Sequence, residues 1–388
     1  MTGASYEIIL DTRHPVAAGG IPQVSLIVPV FNVEPYVAEC LRSIRANAEG
    51  IVLELIVIDD GSTDDSVKAI EILVKAGPWP ETLFLRQANR GLSAVRNLGA
   101  GLARGEYIAF LDSDDRIKPG ALRLLLDLAR ESDCDVVLGR TEVFDSETGE
   151  VTPFYDVHLW DGLLEGRHSR LIDAGQSPGV LALEPNANYR LIRRRFQIEQ
   201  ELNYPEGLLF EDAPVHFRML LAARRIGLLD VIYYSYRVQR PGKITEERSQ
   251  RRFDVLKVTR QAIEELKDGG AIDEQGGAAL RVLFRLVWGC GIMTLPSQRH
   301  RFFQGVCALF VSLMPRPWLE NYLEQNRADI RHCLLGLLLA DGGETILVEV
   351  SFGKYPILAL FAFLSRGGHA FTLARSVPAW LWRRMSRP

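Results

Sequence analysis

The sequence predicts an α/β fold in which a mostly parallel sheet is flanked by helices, followed by a mainly α-helical C-terminal region. Apolar, β-branched runs typical of buried strands alternate with segments whose apolar residues recur at helical spacing. Such alternation is typical of parallel strands joined by helices that cover both faces of the sheet. The predicted strands are residues 24–30, 53–58, 83–85, 107–111 and 136–138, and the predicted helices between them are residues 34–44, 63–75, 92–103 and 119–132.

The remainder of the chain indicates further segments. Residues 141–206 show poor periodicity and are interpreted as loops and short elements that complete the first domain. They are followed by a predicted strand at 208–210, a helix at 213–225 and a strand at 227–236, and then by helical, apolar sequence. We therefore predict an N-terminal extension at 1–21, an α/β domain at 22–245 and a helical region at 246–388.

Composition limits the classes of function and the compartment. The 388 residues carry a net charge of -4, which argues against a nucleic-acid partner because phosphate neutralisation calls for a basic surface. The five cysteines form no C-x-x-C pair, and residues 1–20 lack the sustained apolar stretch of a secretory signal. The longest apolar run, 355–364, is about half as long as a membrane-spanning helix. We therefore predict a cytoplasmic protein with reduced thiols and no membrane span.

Acidic residues follow the predicted strands at the edge where ligands bind in parallel sheets. Asp112 and Asp114 come directly after the strand at 107–111, and carboxylates in that position suit Mg²⁺ or Mn²⁺ held together with phosphate oxygens. Asp60 ends an earlier strand, where its carboxylate can accept a hydrogen bond from a uracil ring. For each motif taken alone, the alternative is an acidic turn exposed to solvent. Metal and nucleotide binding therefore depend on the other motifs.

Two further motifs carry chemistry only in combination. The loop from Asn89 enters a helix containing Arg96, and backbone N–H groups with an arginine can bind phosphate there. Glu211 and Asp212 form a second acidic pair, in which one carboxylate can take a proton from an acceptor hydroxyl while its neighbour orients it. The alternatives are a surface ion pair for Arg96 and a helix N-cap for the acidic pair. No Ser/His/Asp or Cys/His nucleophile set and no histidine metal spacing is visible.

Together these motifs resemble the family 2 inverting glycosyltransferases, which have the GT-A fold. The resemblance covers roughly residues 22–245. It is carried by Val-Ser-Leu-Ile-Val-Pro-Val-Phe-Asn32, Val-Ile-Asp59-Asp60-Gly-Ser-Thr-Asp64, Asn89-Arg-Gly-Leu-Ser-Ala-Val-Arg-Asn97, Leu-Asp112-Ser-Asp114-Asp115, Tyr204-Pro-Glu-Gly-Leu-Leu-Phe-Glu211-Asp212 and Tyr233-Tyr-Ser-Tyr-Arg237.

The resemblance implies a role for each matching position. Asp212 would be the general base with Glu211 beside it, and Asp114 and Asp112 would ligate a Mn²⁺ or Mg²⁺ ion that bridges the diphosphate. Lys243, in the loop after Arg237, departs from the family pattern, in which a serine is common at this position. The positions implied to bind the nucleotide-sugar are Pro29, Val30, Asn32, Asp60, Asn89, Arg96, Asp112, Ser113 and Arg237.

The function implied by the resemblance is transfer of a sugar from a nucleotide diphosphate donor, with UDP favoured by family habit. The acceptor would be a carbohydrate or lipid-linked glycan, as in cell-surface polysaccharide synthesis, and a single displacement would invert the anomeric carbon. Two rivals remain: a nucleotide-sugar binding module without catalysis, and a receiver-like signalling domain, which would be complete in about half the matched length. A nucleotidyltransferase is disfavoured because no Gly-rich, Lys-containing start is present.

Residues 350–388 form a local basic tail in a net acidic chain. They contain six Lys or Arg side chains and no Asp or Glu, and they end with Trp380 and Trp382 beside arginines. Tryptophan next to arginine suits the headgroup layer of a membrane. Two interpretations fit this pattern: peripheral docking on the inner face of the cell membrane, and a helical bundle with a solvated basic face.

Overall fold

The computed structural model describes residues 5–15, 20–240, 248–271, 275–326 and 347. The chain divides into two compact units, one formed by residues 1–177 and 183–241 and the other by residues 178–182 and 242–388. The first contains an 11-stranded mixed sheet. Its strands are β1 (Tyr6–Asp11), β2 (Val24–Val30), β3 (Leu53–Asp59), β4 (Glu81–Gln87), β5 (Tyr107–Phe110), β6 (Arg116–Ile117), β7 (Val136–Asp145), β8 (Val151–Pro153), β9 (Ser169–Ile172), β10 (Arg190–Arg193) and β11 (Ile226–Val238).

Seven helices connect or follow these strands in the described part of the first unit. The four predicted between the early strands are present, and the apolar residues that predicted the first of them, Val37, Cys40, Leu41 and Ile44, are all buried. The helices are α1 (Glu34–Ala46), α2 (Ser66–Lys75), α3 (Leu92–Leu102), α4 (Ala121–Glu131), α5 (Val157–Leu164), α6 (Arg194–Glu199) and α7 (Asp212–Ala222).

The sheet has a parallel half and a largely antiparallel half. Strands follow the order β1-β4-β3-β2-β5-β10-β7-β11-β6. The run β4-β3-β2-β5 is parallel, and every residue of β2 and β3 is buried, as expected for strands covered on both faces. β10 pairs antiparallel with both β5 and β7, whereas β11 and β7 run parallel. The α/β fold class is confirmed, although the sheet is more mixed than predicted.

Three sequence-based expectations need correction. The strand expected at 208–210 is absent: these residues form a bend in which Phe210 has a positive φ of 66°. The N-terminal extension is part of the sheet, since β1 pairs antiparallel with β4 at its edge. The supposedly irregular stretch 141–206 contains the second half of β7, and also β8, α5, β9, β10 and α6. Its strands are short or only partly buried, so they lack the uniform apolar pattern that identified the others.

The second unit is helical in its described residues, as predicted. Its helices are α8 (Asp254–Asp268), α9 (Gly276–Met293), α10 (Arg299–Leu313) and α11 (Arg316–Gln325), with 3-10 helices at Pro178–Ala182, Gln250–Phe253 and Pro296–Gln298. Among described residues, α9 alone is long and apolar enough to cross a membrane, with a mean hydropathy of 1.3. Because 61% of that window is buried within the protein, α9 also satisfies the description of a core helix.

Two other sequence-based expectations concern the thiols and the basic tail. Cys40, Cys134, Cys290 and Cys307 are free and buried, which agrees with the expectation of reduced thiols for the cysteines that the structure describes. Residues 350–388 lie outside the described residues, so the interpretations of the tail remain predictions.

Helix α3 packs directly on β2 because Gly99 faces that strand. A Cβ atom at Gly99 would lie 2.4 Å from Cγ2 of Ile27, closer than packed side chains allow. By contrast, a Cβ at Gly101 on the same helix would meet no atom within 4 Å. Glycine therefore sets the distance between α3 and the sheet.

We expect Gly99→Ala to lower the free energy of unfolding by about 1–3 kcal/mol, because overpacking displaces Ile27 or the helix. The matched control, Gly101→Ala, should be neutral or stabilising by up to about 1 kcal/mol, since alanine is the better helix former and has space there. Urea unfolding followed by circular dichroism measures both changes. Equal stabilities for the two variants would contradict the close packing.

Candidate functional site

The candidate site forms where the parallel strands β2, β3 and β5 end. In parallel sheets the loops after the carboxyl ends of the strands converge on one edge. Asp60 directly follows β3, and Asp112 lies two residues after the end of β5. The loop that leads into α7 delivers Glu211 and Asp212 to the same region. Acidic residues separated by about a hundred positions in the sequence are thereby brought together.

Arg96 of α3 joins the two acidic groups. Its Nη1 atom donates to Glu211 Oε1 at 2.8 Å and to Asp212 Oδ1 at 3.0 Å, and its Nη2 atom donates to Asp112 Oδ1 at 2.9 Å. The guanidinium is buried, with its side chain 1% exposed, and lies 5.2 Å from the centre of the Tyr204 ring. Because charge-assisted bonds in a buried setting are strong, Arg96 fixes the relative positions of the three carboxylates.

The local backbone directs the acidic pair toward Arg96. Phe210, just before the pair, has a left-handed φ that non-glycine residues seldom adopt, which turns the chain before α7 begins. Glu211 stands at the N-cap position of α7 but makes no side-chain capping bond. Its carboxylate binds Arg96 instead. The capping interpretation that the sequence left open therefore does not describe what these side chains do.

Burial gives the acidic pair unusual proton affinities. Desolvation, reinforced by the negative charge of Asp212, raises the pKa of Glu211 to about 7, against the opposing charge of Arg96. Desolvation likewise raises the pKa of Asp212, again opposed by Arg96. Carboxyl groups whose pKa is raised toward neutral pH are suited to accepting and releasing protons during catalysis. The pair therefore has the electrostatic character of an acid–base group.

A hydrogen-bonded chain connects Asp112 to the buried Asp115. The Asn188 side-chain amide donates to Asp112 Oδ2 at 2.8 Å, and its oxygen accepts from the Asp112 backbone N–H at 3.0 Å. The same amide nitrogen lies 3.2 Å from the hydroxyl of Tyr234, which donates a short bond to Asp115. Burial, together with the charges of Asp114 and Asp112, raises the pKa of Asp115 well above its usual range. Asn188 thus holds Asp112 from the side opposite Arg96.

Asp114 is paired with arginines from the end of β11 and the residues after it. Its carboxylate binds Arg240, and its backbone carbonyl accepts from Arg237 Nε at 2.6 Å. Arg237 also binds Glu39 at 2.6 Å and stacks 4.4 Å from the centre of the Phe144 ring. Burial raises the pKa of Asp114, and the charge of Arg240 opposes this. The Asp112–Asp114 loop is therefore surrounded by positive charge at both of its ends.

Asp60 organises the loop on the other side of the site. It accepts from Gln87 Nε2 at 2.7 Å and from the backbone N–H groups of Arg90 and Gly91 at 2.9 and 2.8 Å. These bonds fix residues 87–91 just before α3 begins. The side chain of Asp60 is 4% exposed, so its visible role is to shape this loop. A contact with a nucleotide base stays a prediction.

The remaining predicted nucleotide-binding residues lie around the same loops. Asn32, exposed and with a positive φ of 51°, accepts from the Thr63 backbone N–H at 2.8 Å. Asn89 is exposed above Gly61, where its backbone nitrogen would lie 3.0 Å from an added Cβ. Pro29 and Val30 are buried in β2 and support the loops from beneath. Exposed Asn32 and Asn89 therefore border the surface that a nucleotide would meet.

Residues that the sequence analysis did not select complete the site. The contacts that it missed come from Glu39, Asp115, Asn188, Tyr234 and Arg240. Asp115 and Tyr234 lie inside the motifs that carried the family resemblance. Their position in those motifs was the signal that could have identified them. Asn188 lies in the segment whose periodicity was poor, and no sequence pattern identified it. Ser113 is buried within the Asp112–Asp114 loop.

Comparison with known proteins identifies the family. Residues 25–190, which extend from the second residue of β2 to the first residue of β10 and include Asn188, match the family described as Glycosyl transferase family 2. This part of the chain is therefore a family 2 glycosyltransferase domain. Apart from Val24, the segments that carried the sequence resemblance up to Asp115 lie inside the matched region of this glycosyltransferase.

Relatives and solved structures agree with this assignment. Glycosyltransferase GlyG of Streptococcus pneumoniae serotype 4 is 29% identical over 57% of this chain and 72% of GlyG. The succinoglycan biosynthesis protein ExoO of Rhizobium meliloti is 30% identical over 50% of this chain and 54% of ExoO. The crystal structure of S. aureus TarS 1-349 in complex with UDP-GlcNAc shares the fold, with a TM-score of 0.66 at 19% identity, covering 86% of this chain and 93% of that chain. The predicted GT-A type of fold is confirmed.

We expect the stability of the glycosyltransferase to fall as the pH rises from about 4.5 to about 7, in part because of Glu211. Its ordinary pKa of 4.5 is raised to about 7 in the folded protein, so the folded state binds more protons in this window. The stability that Glu211 contributes is therefore fully present below pH 4.5 and is lost as the pH rises past 7. In Glu211→Gln, which keeps the oxygen facing Arg96, the decline between pH 5 and 8 should be smaller by about 1–3 kcal/mol. Denaturant titrations at several pH values measure this, and parallel pH profiles would refute it.

Proposed function

We propose that this glycosyltransferase transfers a sugar, with inversion, from a nucleotide diphosphate donor to a carbohydrate or lipid-linked glycan acceptor. The observation that carries the proposal is the convergence of Asp112 and the Glu211–Asp212 pair on one buried arginine, Arg96. A UDP-sugar is the favoured donor, and the TarS structure bound to UDP-GlcNAc supports this choice. The similarity to ExoO, a succinoglycan biosynthesis protein, supports a role of this chain in polysaccharide synthesis.

Asp212 is proposed as the general base. It stands at the first residue of α7, and its side chain is 23% exposed, whereas that of Glu211 is 9% exposed. The more accessible carboxylate is the one that an acceptor hydroxyl can reach. Asp212 removes the proton of that hydroxyl. At the same time the hydroxyl oxygen attacks C1 of the donor sugar from the face opposite the departing nucleoside diphosphate. Because the reaction uses one base and a single displacement, no covalent sugar intermediate forms, and the configuration at C1 inverts.

Arg96 acts on this mechanism through the carboxylates that it holds. It orients Asp212 by a bond to one carboxylate oxygen, and it partly neutralises the three acids that would otherwise repel an anionic donor. Its 1% exposure favours this organising role over the direct phosphate contact that the family resemblance implies. A phosphate contact remains compatible with Arg237 and Arg240, which surround Asp114.

The residues around Asp114 fit a divalent cation. Mg²⁺ and Mn²⁺ need only one or two protein carboxylates when phosphate oxygens and water supply the other ligands, and Asp112 and Asp114 are such a pair. Among the described residues, no cluster of three or more His, Cys, Asp or Glu side chains forms a complete metal site. Burial and the charge of Asp112 raise the pKa of Asp114, so added positive charge there is favourable. A bound cation would stabilise negative charge on the leaving diphosphate.

We expect Asp212→Asn to lower sugar transfer by at least about 100-fold, because an amide cannot accept the hydroxyl proton. Donor binding should change little, since the variant keeps the oxygen that faces Arg96. Release of UDP from a panel of UDP-sugars in the presence of candidate glycan acceptors measures turnover, and calorimetry with UDP measures binding. Asp127→Asn, at a partly exposed acid on α4 that pairs with Arg123, is the control and should resemble the wild type. Full turnover by Asp212→Asn would exclude this base, and binding without turnover in the wild type would support a binding module.

We expect Asp114→Ala to weaken Mn²⁺ binding in the presence of UDP by at least about 10-fold, because the variant loses one carboxylate ligand. Electron paramagnetic resonance of Mn²⁺ measures the bound fraction without requiring turnover. Asp127→Asn again serves as the matched loss of a carboxylate. Unchanged Mn²⁺ affinity in Asp114→Ala would remove this residue from the metal site.

Membrane contact through residues 350–388 and a cytoplasmic location remain proposals that rest on the sequence alone.

A further inference from the structure

Arg190, the first residue of β10, is a buried cation beside α7. It is 3% exposed, and its Nη2 atom lies 2.7 Å from Nδ1 of His216. The same atom donates to the carbonyl oxygen of Glu184 and to the hydroxyl of Tyr189, both at 3.2 Å. Its guanidinium carbon is 4.8 Å from the centre of the Tyr189 ring. Its contacts are therefore with neutral groups.

Burial of a guanidinium beside neutral partners is unfavourable unless its charge is compensated from further away. Among the described residues, no carboxylate lies within ion-pair distance of Arg190, and its buried Nε atom has no hydrogen-bond partner. The compensation is available in the acidic group around Arg96. There a single guanidinium faces three carboxylates, so the group has an excess of negative charge.

Helix α7 connects Arg190 to the base. His216 lies one helical turn after Asp212, and Arg190 Nη1 lies 3.9 Å from the sulfur of Met219, further along the same helix. The guanidinium is thus packed against α7 close to the helix start, where Asp212 stands. Burial raises the pKa of Asp212, and the positive charges of Arg96 and then Arg190 oppose that rise.

We propose that Arg190 is a positioning residue of the transfer site, whose buried charge, held in place by His216, stabilises the Asp212 carboxylate that accepts the acceptor proton. The inference rests on the proposed role of Asp212 as base. Arg96 orients that carboxylate by direct contact, and Arg190 supplies a second positive charge that makes no contact with it. The other groups that act electrostatically on Asp212 are Glu211, which precedes it, Asp112 from the loop after β5, and the buried Tyr204 phenol.

His216 has a defined part in this arrangement. Because the Arg190 guanidinium can only donate, Nδ1 of His216 must accept, which places the ring proton on Nε2. The imidazole is completely buried. A neutral His216 therefore holds the arginine, and a side chain without an acceptor at this position would release it.

The test removes the charge of Arg190 and follows the protonation of Asp212. Arg190→Met should move the acid limb of the pH profile of UDP release to higher pH by about 0.5–1 unit, because the carboxylate loses a stabilising cation. Arg190→Lys, which retains the charge, should shift the limb much less. His216→Leu, which keeps the charge of Arg190 but removes the acceptor that holds its guanidinium, should give an intermediate shift. A lower rate with an unmoved acid limb in Arg190→Met and in His216→Leu would overturn the proposal.

A second measurement separates this proposal from the proposed function. Carboxyl-carbon NMR titration of protein labelled at aspartate reports the protonation of Asp212 directly, with Asp212→Asn identifying its signal. The titration midpoint should rise in Arg190→Met relative to Arg190→Lys even if no donor is turned over. An unchanged midpoint would refute the charge effect while leaving Asp212 available as base. A raised midpoint without turnover would support the charge effect and count against the function.

Discussion

The burial of Arg96 among three carboxylates is the constraint on which the rest of the site depends. A guanidinium with 1% exposure is unfavourable without anionic partners, and three carboxylates at one place repel one another without a cation. Each side therefore requires the other. Arginine suits this position because its planar fork presents several donors at once, whereas a lysine ammonium acts as a point charge. The bonds tie α3, the loop after β5 and the start of α7 into one unit, and Gly99 sets the distance at which α3 meets the sheet.

The two halves of the sheet make different contributions. The parallel half ends in the loops that carry Asp60 and Asp112, on the side where a nucleotide would bind. The second half provides the residues that hold these acids in place. Asn188 comes from the segment before β10, Tyr234 and Arg237 from β11, and Arg240 from just beyond it. The position of the acidic loop thus depends on strands that have no acidic motif of their own.

Charge compensation is divided between two sets of arginines. Arg96 compensates the acids that include the proposed base, while Arg237 and Arg240 surround Asp114. The chain through Asn188 and Tyr234 links the two sets by neutral groups. This separation would allow a cation and a diphosphate to bind around Asp114 without disturbing the proposed base. Arg190, which packs against α7, is proposed to add its charge to the first set.

The sequence by itself determined the strands and helices of the parallel half, the family and the acidic residues of the site. These features follow from local patterns: fully buried strands are uniformly apolar, and helices repeat every 3.6 residues. Only the tertiary structure decided that Asp112 and Asp212 share Arg96, that Asn188 binds Asp112, and that residues 208–210 bend instead of forming a strand. The physical reason is that contacts between distant segments, and the burial that shifts proton affinities, arise from packing and leave no periodic mark in the sequence.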